Sequence, residues 1–145
     1  MTKILVADDD HEIMEMIRLT LSKEGFDVSV AINGQQAVNQ AKKIKPDVVV
    51  MDVMMPVMDG MEACRQIKQD TDTAGIPVIF LTARNEEFAE LAGFDAGADD
   101  YISKPVRPRV LLSRLKAILR RNNPTKLQND AAIIQFPKII IDRDR

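Results

Sequence analysis

The stretch Val48-Val49-Val50-Met51 is a continuous apolar run that ends at an acidic residue, Asp52. Short runs rich in β-branched residues and without polar alternation are typical of strands covered on both faces of a parallel sheet. The run therefore predicts an inner strand whose carboxyl end carries a carboxylate. Comparable runs lie at residues 3–7, 28–31 and 78–81, with a weaker one at 101–103.

Apolar residues at helical spacing fill the segments between these runs. Strand and helix alternate five times, which predicts an α/β fold: a doubly wound, five-stranded parallel sheet with right-handed crossovers and helices on both faces. The predicted helices cover about 13–25, 35–44, 61–68, 88–97 and 111–122.

The end of the chain has a different character. Residues 123–132 are mostly polar, include Pro124 and predict a linker. Residues 133–142 again resemble a strand, but with Pro137 inside it and three residues after it this segment cannot bury itself alone. The predicted organisation is a first domain at 1–122, a linker at 123–132 and the start of a truncated second domain at 133–145.

Bulk composition excludes several classes of protein. The 145 residues are 46% hydrophobic and 29% charged, which is an ordinary globular balance. A net charge of −2 gives no basic field for nucleic acid, and no apolar run is long enough to span a membrane. Cys64 is the only cysteine, so no internal disulfide can form, and no signal peptide is evident. These features predict a cytoplasmic protein in which Cys64 is semi-buried on a helix.

Polar residues follow the strands at the point where each one ends. In parallel sheets the carboxyl ends of the strands share one edge, where ligands bind. These residues should therefore converge on one shallow cleft. They are Asp8, Asp9 and Asp10 after the first strand, Asp52 after the third, Thr82 after the fourth and Lys104 after the fifth.

Several carboxylates in one cleft require a cation. Two of them about 5 Å apart repel by roughly 3 kcal/mol at an effective dielectric constant of about 20. Mg²⁺ is the natural partner because it takes one or two carboxylates and a phosphate oxygen. A carboxylate beside it can attack phosphorus and form an acyl phosphate, with Lys104 and Thr82 binding phosphoryl oxygens. Each residue alone has an ordinary structural explanation, and Asp10 in particular is expected to cap the first helix.

These motifs together resemble the receiver domains of two-component response regulators, over about residues 2–121. The resemblance implies the flavodoxin-like (CheY-like) strand order 2-1-3-4-5. The motifs that carry it are Ile-Leu-Val-Ala-Asp-Asp-Asp at 4–10, Met-Asp-Val-Met-Met-Pro-Val-Met-Asp-Gly at 51–60, Leu-Thr-Ala-Arg at 81–84, Ala-Gly-Ala-Asp-Asp-Tyr at 96–101, and Lys104-Pro105.

The resemblance implies roles for the acidic residues. Asp52 corresponds to the phospho-acceptor. Asp9 corresponds to a direct Mg²⁺ ligand and Asp8 to a ligand through water. The backbone carbonyl of Met54 would complete the protein's share of the metal shell, and its side chain should overhang the site.

It also implies how phosphorylation is sensed. Thr82 corresponds to the switch hydroxyl and Lys104 to the cation that binds the phosphoryl group. Tyr101 corresponds to the aromatic residue that turns inward on activation. The bond between Lys104 and Pro105 is expected to be cis.

The implied partners are a sensor histidine kinase, a second copy of the chain, and DNA through a missing winged-helix (OmpR/PhoB-type) domain. The donor histidine belongs to the kinase, and His11 is expected to be a solvated residue at a helix start. The homodimer would use the face formed by the fourth helix, the last strand and the fifth helix. Glu90, Val106 and Val110 depart from the pattern usual for this face. The charges available there are Asp95, Asp99, Asp100, Arg114, Lys116 and Arg121.

Three alternatives remain at this point. A stand-alone receiver would act by protein–protein docking, but the strand-like tail argues against it. A haloacid-dehalogenase-type phosphatase needs Asp-x-Asp followed by Thr or Val after its first strand, whereas Asp10 is followed by His11. A degenerate receiver used as a scaffold would have lost part of its site. The favoured interpretation is a phosphorylation-dependent switch controlling transcription, which catalyses only its own phosphoryl transfer and dephosphorylation.

Overall fold

The computed structural model describes residues 1–83 and 97–122. Within these residues one parallel sheet has the strand order β2-β1-β3-β4-β5, which confirms the predicted fold class and topology. The strands are β1 (Lys3–Ala7), β2 (Asp27–Ala31), β3 (Val48–Asp52), β4 (Val78–Thr82) and β5 (Asp100–Ser103). The helices are α1 (His11–Lys23), α2 (Gly34–Ile44), α3 (Gly60–Gln69) and α4 (Pro108–Asn122).

The described helices agree with the predicted ones to within three residues, and α4 corresponds to the fifth predicted helix. The fourth predicted helix and residues 123–145 lie outside the described residues. None of the described helices combines the length and apolar character that crossing a bilayer requires.

The sheet separates two apolar cores because successive side chains of a strand point to opposite faces. On β3, Val49 and Met51 face the core that includes residues of α2 and α3, as expected for Met51. Val48 and Val50 face the core that includes residues of α1 and α4. The prediction of strands buried on both faces holds for β3 and β4, which are buried throughout. It is wrong for the edge strands β2 and β5, which have a neighbour on one side only and are largely half-exposed.

Side-chain caps fix where the helices begin. The Asp10 carboxylate accepts hydrogen bonds from the Glu12 and Ile13 amides, which confirms the predicted cap of α1. Asn33 caps α2 and Asp59 caps α3 in the same way. Each cap follows the carboxyl end of a strand by a few residues, so these helices start next to the edge of the sheet where Asp52 ends β3.

Cys64 differs from the expectation. It lies in α3 with no exposed surface, so it is fully buried and not semi-buried. Burial raises the pKa of its thiol to about 11. The thiolate is the reactive form of cysteine, so Cys64 serves as a small apolar packing residue.

Candidate functional site

Three carboxylates meet at the carboxyl edge of the sheet. Asp8 follows β1, Asp9 is its neighbour, and Asp52 is the last residue of β3. One oxygen from each lies within 4.8 Å of the others. Asp8 has no exposed surface and Asp52 is 6% exposed, whereas Asp9 faces solvent. The pairing of β1 with β3 brings the two buried carboxylates together, as the sequence predicted.

Lys104 provides the positive charge of the site. Its Nζ lies 3.3 Å from Asp52 Oδ2 and 3.7 Å from Asp8 Oδ2. The Lys104 backbone amide donates a hydrogen bond to the Thr82 carbonyl oxygen at 2.7 Å, so the pairing of β5 with β4 continues past β5. The bond between Lys104 and Pro105 is cis, which confirms that expectation. The lysine therefore comes from the strand end that the sequence indicated.

Burial controls the electrostatics of the two inner carboxylates. It raises the pKa of Asp8 to about 6, and the charges of Asp52 and Asp9 add to the rise. The Asp10 amide and Lys104 act in the opposite direction on Asp8. Burial also raises the pKa of Asp52, against the lowering effect of Lys104. One lysine therefore does not compensate the desolvation of two carboxylates.

Two buried side-chain oxygen atoms in the described residues make no hydrogen bond: Asp8 Oδ2, whose nearest cation is Lys104 Nζ at 3.7 Å, and Thr82 Oγ1. The other oxygen of Asp8 accepts from the Asp10 amide at 2.9 Å. Leaving a buried polar atom unsatisfied costs free energy, so such atoms indicate a missing ligand. A hard divalent cation among the three carboxylates would satisfy Asp8 Oδ2 and offset their repulsion, so the residues present fit Mg²⁺.

The loop after β3 borders the cluster. The Met54 amide approaches Asp52 Oδ1 at 3.4 Å, and the Met54 side chain is 68% exposed. Met55 is buried and packs in the core on the α2 and α3 side of the sheet. The structure therefore brings Asp8, Asp9, Asp52 and Met54 to one place.

Thr82 and Tyr101 lie on neighbouring strands behind this cluster. Thr82 ends β4 and is 1% exposed. Tyr101 pairs with Phe80 across β4 and β5, and the two rings lie 5.9 Å apart at 51°. Tyr101 is half-buried. The predicted hydroxyl and aromatic residue thus lie on adjacent strands, two residues apart in register, because Thr82 is opposite Ser103 and Tyr101 is opposite Phe80.

The other charged residues that the sequence suggested have local explanations. His11 is the exposed first residue of α1, as expected. Asp95 and Glu90 lie outside the described residues. Charges of the predicted dimer face form ion pairs within the chain, and the homodimer stays a prediction. The pairs are Lys68–Asp99 at 3.1 Å, Arg114–Asp100 at 2.8 Å and Lys116–Glu24 at 3.5 Å.

One backbone contact next to the site has no signal in the sequence. The Gly34 amide, at the start of α2, donates a hydrogen bond to the Met58 carbonyl oxygen at 2.8 Å. In the sequence, Gly34 follows a capping asparagine and predicts only a helix start. No local pattern reveals that a loop from another strand approaches it.

Comparison with known proteins agrees with this geometry. The family model described as the response regulator receiver domain matches residues 4–116. The response regulator MprA of Mycolicibacterium vanbaalenii is 41% identical over 140 residues, which are 97% of this chain and 60% of that protein. The alkaline phosphatase synthesis transcriptional regulatory protein PhoP of Bacillus subtilis is 42% identical over 132 residues, which are 88% of this chain and 54% of that protein.

Solved structures give the same result. A response regulator from Chloroflexus aurantiacus superposes with a TM-score of 0.80 at 39% identity, covering 83% of this chain and 98% of that one. The chemotaxis protein CheY4 of Vibrio cholerae superposes with a TM-score of 0.78 at 33% identity, covering 82% and 99%. The chain spans little more than half the length of the two curated relatives. It belongs to the family of response regulator receiver domains.

Proposed function

We propose that the chain is a phosphorylation switch in which Asp52 accepts a phosphoryl group from a sensor histidine kinase with the help of Mg²⁺. The observation that carries the proposal is the position of Asp52. It is a buried carboxylate with Lys104 Nζ 3.3 Å away, and one of its oxygens lies within 4.8 Å of one oxygen each of Asp8 and Asp9. Such a site can bind a metal, a phosphoryl group and a nucleophile at once.

Mg²⁺ would be held by Asp8, Asp9, Asp52 and the backbone carbonyl of Met54. The buried Asp8 Oδ2, which has no hydrogen bond, supports a role for Asp8 through a metal-bound water. Bound Mg²⁺ supplies charge compensation for the phosphoryl oxygens during transfer. Receiver domains as a family bind Mg²⁺ in an acidic pocket of this kind.

In the transfer step an Asp52 carboxylate oxygen attacks phosphorus. A new O–P bond forms while the N–P bond to the donor imidazole breaks, and the electron pair of that bond stays on the imidazole. Lys104 Nζ is within reach of a phosphoryl oxygen on Asp52, and Thr82 Oγ1 is available for another.

The switch rests on Thr82 and Tyr101. In the unphosphorylated chain Thr82 Oγ1 is buried without a partner. A phosphoryl oxygen on Asp52 offers the missing acceptor and draws Thr82 toward it. Tyr101 then turns inward, and the face formed by β5 and α4 repacks. The shift between the two conformations cannot exceed the free energy that these new contacts supply.

The complete protein would control transcription. PhoP of Bacillus subtilis is named as a transcriptional regulatory protein, and MtrA of Mycobacterium tuberculosis as a DNA-binding response regulator. We assign residues 1–122 to the receiver domain, 123–132 to a linker and 133–145 to the start of a winged-helix DNA-binding domain. These 145 residues alone should not bind DNA, and an electrophoretic shift with a specific DNA sequence would contradict this. A native gene that encodes a second domain after these residues would support this proposal, and one that ends with them would favour a stand-alone receiver. A cytoplasmic location stays a prediction.

The first experiment is intact-protein mass spectrometry after incubation with acetyl phosphate, with and without Mg²⁺. The wild type should gain one phosphoryl group only with Mg²⁺, and Asp52→Asn should gain none. Asp10→Asn is the matched control, because Asp10 is a helix cap outside the carboxylate cluster and its variant should still be phosphorylated. A phosphoryl gain in Asp52→Asn would show that another residue is the acceptor.

A further inference from the structure

The loop that joins β3 to α3, residues 53–59, is closed at both ends. The Gly60 amide donates to the Val53 carbonyl oxygen at 2.8 Å, so the first residue of the connection is bonded to the first residue of α3. A Cβ added at Gly60 would lie 2.2 Å from the Asp52 carbonyl oxygen. This β3–α3 loop therefore has little freedom to shift as a whole relative to Asp52.

The tip of the β3–α3 loop holds a residue in an unfavourable conformation. Val57 has a φ of 70° and is 82% exposed. The Met58 amide donates to the Pro56 carbonyl oxygen at 2.7 Å, which is the i to i+2 hydrogen bond of a γ-turn. A β-branched residue rarely adopts a positive φ, so contacts elsewhere must hold this turn in place.

The contact that holds the turn comes from α2. The Gly34 amide donates to the Met58 carbonyl oxygen at 2.8 Å. A Cβ at position 34 would lie 2.2 Å from that oxygen and 2.9 Å from the Asp59 carbonyl oxygen. Only glycine allows this approach. We refer to the Gly34–Met58 hydrogen bond and the turn at Val57 as the loop latch.

We propose that the loop latch positions the backbone carbonyl of Met54 for the divalent cation, with Gly34 as the positioning residue and Val57 as part of the connection that transmits its contact. The inference rests on the proposed function, because it concerns the same metal site. Three stiff residues connect Met54 to the latch. Met55 is anchored in the core, Pro56 has a fixed φ, and Val57 is β-branched. A displacement of Met58 is therefore transmitted toward Met54 and is not absorbed between them.

Two substitutions with different expected effects follow from this connection. Gly34→Ala pushes the Met58 carbonyl away and should weaken Mg²⁺ binding about tenfold, the usual effect of removing support from a metal ligand. Val57→Gly alone should leave the affinity within about twofold of wild type, because the latch contact remains. In the double variant the glycine at 57 adopts other φ values, absorbs the displacement and should restore most of the affinity.

The experiment is calorimetric titration of the whole chain with MgCl₂ for the wild type, both single variants and the double variant. Gly75→Ala is the matched control, because an added Cβ there meets nothing within 4 Å and the residue precedes β4, at the opposite edge of the sheet. Its affinity should equal that of the wild type. Urea unfolding of the same proteins without Mg²⁺ gives a second measurement, in which the effects of the two substitutions should be non-additive.

The results separate two kinds of failure. Wild type that binds no Mg²⁺ would overturn the proposed function, and the positioning role with it. Wild type that binds Mg²⁺ while Gly34→Ala binds it equally well would overturn the latch alone. A loss in Gly34→Ala that Val57→Gly does not relieve would also overturn the latch, because destabilisation of α2 would explain such a loss without any transmission through the turn.

Discussion

Replacing Asp8 by asparagine should stabilise the metal-free protein at neutral pH. Asp8 has no exposed surface, and its Oδ2 has no hydrogen bond. Burial raises the pKa of its carboxyl from the ordinary value of 3.8 to about 6. Asparagine keeps the shape and the oxygen that accepts from the Asp10 amide at 2.9 Å, but it carries no charge. The substitution therefore removes a desolvated charge and retains the local hydrogen bond.

The size of the expected stabilisation follows from the raised pKa of Asp8. Each pKa unit corresponds to about 1.4 kcal/mol, so the ionised Asp8 destabilises the folded chain by at most about 3 kcal/mol. Asparagine should recover only roughly 1–2 kcal/mol of this destabilisation. Its side-chain amide group would face Lys104 Nζ, which lies 3.7 Å from Oδ2 of Asp8, and the lost attraction to that charge offsets part of the gain. The folded chain holds the Asp8 proton more tightly than the unfolded chain. The destabilisation is therefore absent below about pH 4, grows between about pH 4 and 6, and is complete above that range.

Urea unfolding followed by far-ultraviolet circular dichroism measures this, because the chain has no tryptophan and a single tyrosine. In the presence of a chelator, the free energy of unfolding of Asp8→Asn should exceed that of the wild type at pH 7.5 and equal it at pH 4. Asp9→Asn, at an exposed carboxylate of the same cluster, should stay within about 0.5 kcal/mol of wild type at both pH values. Equal or lower stability of Asp8→Asn at pH 7.5 would refute the electrostatic argument.

Added Mg²⁺ should make the wild type more stable than Asp8→Asn, the reverse of their order in the chelator. A ligand that binds only the folded chain stabilises it by RT ln(1 + [L]/Kd). The wild type should gain stability as Mg²⁺ is added, and Asp8→Asn should gain less, because it has lost a carboxylate that supports the metal. A gain of equal size in both proteins would show that Asp8 takes no part in binding.

Three further substitutions test other parts of the chain by the same unfolding measurement. Thr82→Val should stabilise the unphosphorylated protein by about 1 kcal/mol, because the hydroxyl it removes is buried without a partner; a loss of stability would imply a hydrogen bond there. Asp59→Ala should cost about 1 kcal/mol, because the cap on the Glu62 amide is lost; no loss would mean that water replaces the cap. Phe80→Ala should cost about 3–5 kcal/mol, because the ring is fully buried; a cost under about 1 kcal/mol would mean that the core collapses around the gap.

The strands could be located from sequence because inner parallel strands are apolar throughout. Residues of β3 and β4 are buried without exception, so a continuous apolar run marks each strand to within one residue. The edge strands follow the rule less well. Three consecutive residues of β2, Val28, Ser29 and Val30, are half-exposed, and Ser29 is a polar residue in a strand that has one neighbour only. Burial on both faces was therefore correctly predicted where a strand has two neighbours and not where it has one.

The candidate site could be predicted because its side chains follow strand ends, which parallel pairing brings to one edge. Asp52, Thr82 and Lys104 all obey this rule. Contacts between loops obey no such rule. The approach of Gly34 to Met58 joins segments from different crossovers, and a positive φ at Val57 has no signal in a residue that normally avoids it. Backbone contacts of this kind are seen only in the folded chain.

The ion pairs of β5 and α4 bear on how a homodimer would form through that face. Arg114 already contacts Asp100 at 2.8 Å within the chain, so pairing across a twofold axis would exchange one exposed partner for another. Exposed pairs are worth about 0–1 kcal/mol each, and an exchange is worth less than a new pair. Val106, which departs from the pattern usual for this face, is buried in the core of the same chain. On the described part of this face, the half-buried Tyr101 and Val110 are therefore the residues from which association would gain free energy, and added salt should weaken such a dimer only slightly.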